Sequence, residues 1–283
     1  MRYSRSAPTF LVPVDFSQPS NAALDAAVSM ARADKGRLVV VHVVSTAFMF
    51  PLKPGFAEIF TRLDKNGRDS MARLLRQKRI RPWRALVLSG VNAADVIAAT
   101  AKKYRVTMII MASHGKTGFE RWTLGSVAER TVRGAACPVL IVKNRRARAS
   151  NLLLVPFDFS RSAGRALRHA IELARTGAKR LAIVHIVPPV VNMSAVAGAI
   201  RGAVEATMRR HGFKRSDYQL LVLERPDAGR ALANLARRLK ASFIVMGSSG
   251  RSGVARMLLG SVAERTLRYA ECPVLIVKGG ARR

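Results

Sequence analysis

Residues 125–143 and residues 260–278 are nearly one segment written twice, identical at 16 of 19 positions. That repetition constrains the chain more than any other feature, because whatever one copy folds into, the other must fold into as well. It extends upstream: Pro13-Val-Asp15-Phe-Ser17 returns as Pro156-Phe-Asp158-Phe-Ser160, and Val41-His42-Val43-Val44 as Val184-His185-Ile186-Val187. The offset is 143 residues at the two aspartates and 135 at Gly125 and Gly260, so the second copy is eight residues shorter between those points. The 283 residues have room for two ordinary domains. Asn144-Arg-Arg-Ala-Arg-Ala-Ser150 is polar, charged and aperiodic, and reads as a linker. The expected layout is a first domain over 1–143, a linker over 144–150 and a second domain over 151–283.

Within each copy short apolar runs alternate with helical patterns. Phe10–Val14, Arg37–Val44, Arg84–Leu88, Thr107–Met111 and Val139–Val142 read as strands. Helices are predicted over 20–33, 56–79, 93–104 and 126–135. The second copy repeats the order, with strands near 152–156, 181–187, 218–223, 243–247 and 274–277. The strands are rich in Val, Ile and Leu without polar alternation, which is the mark of a parallel sheet covered by helices on both faces. The predicted fold class is α/β, with two tandem doubly wound, five-stranded, parallel-sheet domains of Rossmann-like type.

One stretch of each copy carries the chemistry. In the second, Phe243-Ile-Val-Met246 leads into Gly247-Ser-Ser-Gly250-Arg-Ser-Gly-Val-Ala-Arg-Met-Leu-Leu-Gly260-Ser261. In the first, Thr107–Met111 leads into Ala112-Ser-His-Gly115-Lys-Thr-Gly-Phe-Glu-Arg-Trp-Thr-Leu-Gly125-Ser126. Buried strand, glycine loop and helix start together suit phosphate: glycine lets backbone approach a ligand, and a helix start offers unpaired N–H groups and the positive end of a dipole. Ser126 and Ser261 each precede a glutamate by three residues, which predicts a capping box at both helices. Gly115-Lys116-Thr117 imitates the end of a Walker loop, but that loop needs a glycine at 110, where Ile stands.

The spacing G-x2-G-x9-G-S resembles the nucleotide loop of the universal stress protein family, and Cys-Pro-Val-Leu-Ile-Val-Lys at 137–143 and 272–278 resembles that family's final strand. The second copy matches fully; the first departs at Ala112. The resemblance implies strand order 3-2-1-4-5 and a crevice between strands one and four, where the order reverses and ligands of such sheets sit. It implies ATP as ligand, with or without Mg2+. Asp15 and Asp158 would accept a hydrogen bond from the adenine amino group, and Val43 and Ile186 would form the adenine wall. Ala112, Gly115, Gly125, Ser126 and Val127 would surround ribose and phosphates in the first site; Gly247, Gly250, Gly260, Ser261 and Val262 would do so in the second. Because a methyl group at 112 would crowd the sugar, the second site is expected to bind more tightly. The final strands, Pro138 to Lys143 and Pro273 to Lys278, are expected to pair within one chain, and the family's habit leaves room for a homodimer.

Other features narrow the function. The formal charge of +32 draws polyanions, so nucleic acid and acidic partners stand beside adenine nucleotides. Against a nucleic-acid scaffold, Trp83 and Trp122 are isolated along the sequence. Cys137 and Cys272 precede Pro and a strand in each copy and read as small packed side chains, with no metal spacing. His114 faces Ser249 across the repeat, so no histidine mechanism is shared, and no catalytic set recurs. No apolar run is long enough to span a bilayer, and the N-terminal residues lack a secretory core, which predicts a cytoplasmic protein. The resulting expectation is a nucleotide-dependent stress-response regulator and not an enzyme, with slow ATP hydrolysis or a nucleotide-using enzyme as the rival.

Overall fold

The computed structural model describes residues 7–47, 56–115, 124–143, 150–177, 180–189, 193–249 and 259–278. The chain divides into two compact units that meet near residue 144.

The first unit runs β1 (Thr9–Pro13), α1 (Gln18–Ala33), β2 (Arg37–Ser45), α2 (Phe56–Gln77), β3 (Arg84–Gly90), α3 (Ala93–Lys103), β4 (Met108–Ala112), α4 (Ser126–Gly134) and β5 (Val139–Val142). Its strands lie in the order β3-β2-β1-β4-β5, and each described pair is parallel: Leu11 lies opposite Val39 on one side and Ile109 on the other. β4 and β5 are buried along their whole length, which is why their sequences show no polar alternation.

The second unit repeats the plan: β6 (Leu152–Pro156), α5 (Arg161–Thr176), β7 (Arg180–Val187), α6 (Met193–Arg210), β8 (Tyr218–Glu224), α7 (Ala228–Arg238), β9 (Phe243–Gly247), α8 (Ser261–Tyr269) and β10 (Val274–Val277). Its strand order is β8-β7-β6-β9-β10, again parallel. In both units the chain leaves the first strand toward one side of the sheet and later returns to the other. The crevice therefore opens beside the C-terminal ends of β1 and β4, and of β6 and β9.

Local chemistry sets the helix starts. Ser17 caps α1 by accepting from the Ser20 N–H at 3.3 Å, and Ser160 caps α5 through the Ala163 N–H at 3.1 Å. Asn92 and Asp227 do the same for α3 and α7. Pro19 occupies the first turn of α1, where its missing N–H costs no bond, so the helix begins two residues before the apolar pattern does.

Candidate functional site: two equivalent clefts

The turn after the first strand places the carboxylate. Asp15 Oδ1 accepts from the Ser17 N–H at 3.0 Å and from the Ser17 hydroxyl at 2.5 Å; Asp158 Oδ1 accepts from the Ser160 N–H at 3.0 Å. The intervening residue, Phe16 or Phe159, is thereby held at φ +64° in both units. A bulky residue there is strained by roughly 1–2 kcal/mol. Ring packing offsets that cost: Phe16 lies 4.5 Å from His42, and Phe159 lies 4.9 Å from Phe157 and 5.2 Å from His185. The two histidines are structural, with Nδ1 facing the Val14 carbonyl at 2.8 Å and the Phe157 carbonyl at 2.6 Å. A carbonyl only accepts, so Nδ1 carries the proton.

The glycine loop meets this turn. A Cβ on Gly115 would run into Asp15 Oδ2, so only glycine lets the loop come this close to the carboxylate. The Gly125 N–H donates to the Ser113 carbonyl at 2.7 Å, and the Gly260 N–H to the Ser248 carbonyl at 2.8 Å, which ties each helix start to the end of the preceding strand.

The predicted capping boxes do not form. Gly125 and Gly260 occupy the capping positions and supply no side-chain cap, while Ser126 and Ser261 are the first helical residues. Glu129 turns instead to Arg133 at 2.6 Å, and Glu264 to Arg268 at 3.4 Å. The physical consequence favours an anion. With a glycine cap, the first-turn N–H groups keep their hydrogen-bonding capacity, and the serine hydroxyls lie beside them on the exposed side.

Asp15, Val43, Ala112, Gly115, Gly125, Ser126 and Val127 line one cleft of about 310 Å³ in the first unit. Asp158, Ile186, Gly247, Gly260, Ser261 and Val262 line one of about 350 Å³ in the second. Both volumes suit a small molecule. Gly250, Lys116 and Arg251 lie outside the described residues. The sequence reading missed the far wall, which α3 supplies through Ala93 and Ile97 and α7 through Ala228 and Leu232. Each pair is spaced i, i+4 at a helix start, so both members face one way; the recurrence of that pair at an offset of 135 was the available signal.

A Cβ at Gly247 would collide with Ser162 in α5, so glycine at this position lets the strand end pack against that helix. Ala112 has the same register, opposite Val142 as Gly247 is opposite Val277, and is buried at the edge of the first cleft. Position 247 thus serves packing against α5 as well as the cleft it lines, and Ala112 likewise lines the first cleft. Cys137 and Cys272 are half-buried, more open than expected of packed cysteines. Among the described residues no group of three His, Cys, Asp or Glu could hold a metal ion. No described helix is long and apolar enough to cross a membrane.

Two doubly wound α/β units, each with a carboxylate, apolar side chains and a glycine-capped helix start around one cleft, define a tandem α/β protein with a candidate small-ligand site in each unit. The universal stress protein family model matches residues 8–143 and again 151–278, and the chain belongs to that family. A universal stress protein of Methanocaldococcus jannaschii is 32% identical over 139 residues, covering 47% of this chain and 80% of that one. One from Mycolicibacterium smegmatis is 25% identical over 284 residues, covering 95% of this chain and 96% of that one, so the tandem layout has a full-length relative. A solved universal stress protein from Archaeoglobus fulgidus shares the fold, with a TM-score of 0.71 at 22% identity over 95% of this chain and 98% of that one.

Proposed function

We propose that the chain binds an adenine nucleotide, ATP, in each cleft and acts as a stress-response regulator that signals nucleotide occupancy through conformation or partner choice. The observation that carries this reading is the convergence, twice over, of a carboxylate, an apolar floor and a glycine-capped helix start without a side-chain cap on one cleft of about 310–350 Å³. The chemistry divides along the cleft. Asp15 and Asp158, in their turns after β1 and β6, accept from the exocyclic amino group of adenine, which guanine lacks at that position. Val43 and Ile186 cover the base. Gly125-Ser126-Val127 and Gly260-Ser261-Val262 take ribose and phosphates through backbone N–H groups, and Gly115 keeps the loop close enough to reach them. Mg2+ bound with ATP would be held by phosphate oxygens and water, its usual mode.

Regulation is favoured over turnover because the groups common to both clefts bind and orient. His114, 3.0 Å from the Ser113 hydroxyl, has Ser249 as its counterpart, so the two clefts share no imidazole facing the ligand. The test is to release bound nucleotide from freshly purified protein and identify it by mass spectrometry, then follow phosphate release under added ATP. Adenine nucleotide with negligible phosphate release supports the proposal. A guanine nucleotide, or turnover at ordinary enzymatic rates of about 1 s⁻¹ or more, contradicts it.

A further inference from the structure

Opposite the cleft, at the N-terminal edge of the first unit's sheet, three helix-to-strand connections converge. Lys35 follows α1 and Arg37 opens β2; Arg81 follows α2 and Arg84 opens β3; Lys103 ends α3 and Arg105 follows it. All six are exposed, and among the described residues none of them is ion-paired. The one acid in these connections is Asp34. At their centre stands Trp83, 38% exposed, which the sequence left looking isolated. The fold surrounds it. Arg37 Cζ lies 5.0 Å and Arg84 Cζ 4.8 Å from the indole centroid, Tyr104 meets it edge-on at 5.8 Å, and Lys103 Nζ lies 5.8 Å from the Tyr104 ring. Lysine or arginine after a helix is ordinarily explained by the helix dipole. That explanation does not account for two guanidinium groups held on one exposed indole.

We infer that this edge is a binding surface for single-stranded nucleic acid. Guanidinium groups stacked on an aromatic ring give up little further freedom on binding; Arg84 spends one Nη1 N–H on the Trp83 carbonyl at 2.9 Å, and a guanidinium carries four more donors that can serve phosphate. Flat guanidinium planes and the accessible part of the indole offer stacking surfaces to unpaired bases, which a duplex keeps hidden. Among the described residues this edge is built from helix ends, connections and strand starts, and no helix projects from it to enter a groove, so duplex readout has no element to perform it. In the second unit Tyr218 occupies the place of Trp83, one residue into the strand beside Leu181, and it is buried, so the surface belongs to the first unit. It lies about 20–30 Å from the cleft, the length of β2 away, and its occupancy is independent of nucleotide.

Fluorescence anisotropy of a labelled 20-nucleotide oligo(dT) with the full chain, titrated across NaCl concentrations, tests this. Six phosphate-neutralising cations imply a log–log salt slope approaching about −4. Arg37→Ala/Arg84→Ala should weaken binding at least about tenfold and reduce the slope by about 1.4, the share of two contacts. Trp83→Ala should weaken binding at unchanged slope. The control Arg209→Ala/Arg210→Ala, exposed on α6 and equal in charge removed, should stay within about twofold of the parent. Thermal melts and ATP titrations of every variant establish that the fold and the clefts are intact. Equal loss in both double variants would show only the general field of a chain at +32 and would overturn the inference. Duplex binding as tight as single-strand binding, or displacement of the oligonucleotide by phosphatidylglycerol vesicles through the same residues, would overturn it as well.

Discussion

Asp158 holds the turn after β6 and, under the proposed function, also contacts the base; a single substitution separates the two roles. Its Oδ1 accepts from the Ser160 N–H and holds the turn, so replacement by alanine would damage the fold as well as the site. Asp158→Asn keeps an acceptor for Ser160 and adds an amide N–H₂. Unfolding free energy should stay within about 0.5 kcal/mol of the parent, while ATP binding at the second site weakens about tenfold and the preference over GTP, whose base has a carbonyl there, shrinks. Calorimetry with both nucleotides and urea unfolding check the two halves separately; unchanged ATP preference removes Asp158 from the base contact. His169 is a second residue with a readable consequence. Burial in α5 pushes its imidazole down to about 4 from 6.5. The folded state keeps it neutral while the unfolded chain takes up a proton below pH 6.5, so its contribution is intact above that pH and is lost as pH falls toward 4, up to about 3 kcal/mol. Urea unfolding at pH 7.5 and 4.5 should show a smaller drop for His169→Leu than for the parent. At this scale the sequence displayed the repeated aspartates and glycines because type and spacing reveal them. It concealed why they are there. Glycine at 125 and 260 displaces the expected serine cap, and glycine at 247 makes room for Ser162 in the neighbouring helix, a three-dimensional contact that no spacing announces.

The elements were legible because period and burial agree. Every strand appears within two residues of its expected ends, since fully buried parallel strands advertise themselves as apolar runs, and boundaries shift where caps decide them, as Ser17 and Pro19 do for α1. Helix-on-helix contacts were not legible. Gly229 in α7 lies so close to α8 that a Cβ would run into that of Arg265 and come within 3.2 Å of the Thr266 nitrogen. Gly229→Ala should therefore push the two helices apart and cost about 1–3 kcal/mol. Because α8 carries Ser261 and Val262, ATP affinity at the second cleft should fall with it. The first unit has Ala94 at the equivalent place, so Ala94→Gly there should open a small gap and leave α4 where it is. Chemical unfolding and ATP titration of both variants test whether α7 positions the cleft helix; full stability and affinity in Gly229→Ala would show that it does not.

Across the whole molecule, a charge of +32 on 283 residues means that the folded chain works against its own repulsion. Salt screens that repulsion, and the described ion pairs that salt would weaken are exposed or half-exposed and contribute little. The melting temperature should consequently rise between 0.05 and 0.5 M NaCl, by an amount that shrinks in charge-reduced variants. The same duplication that shaped the sequence makes the functional account countable. Gly125 and Gly260 sit at φ −61° and −65° with extended ψ, angles open to any residue, so glutamine at either position meets no dihedral penalty; at 125 its Cβ would stand 3.3 Å from the Ser113 carbonyl oxygen and the His114 Cα, a tight contact that a thermal melt of the variant checks. Titration calorimetry with ATP measures the central claim most directly. The account predicts two equivalents of ATP per chain, one equivalent remaining in Gly125→Gln and in Gly260→Gln, and none in the double variant. One equivalent in the parent, or two retained in the double variant, would contradict it.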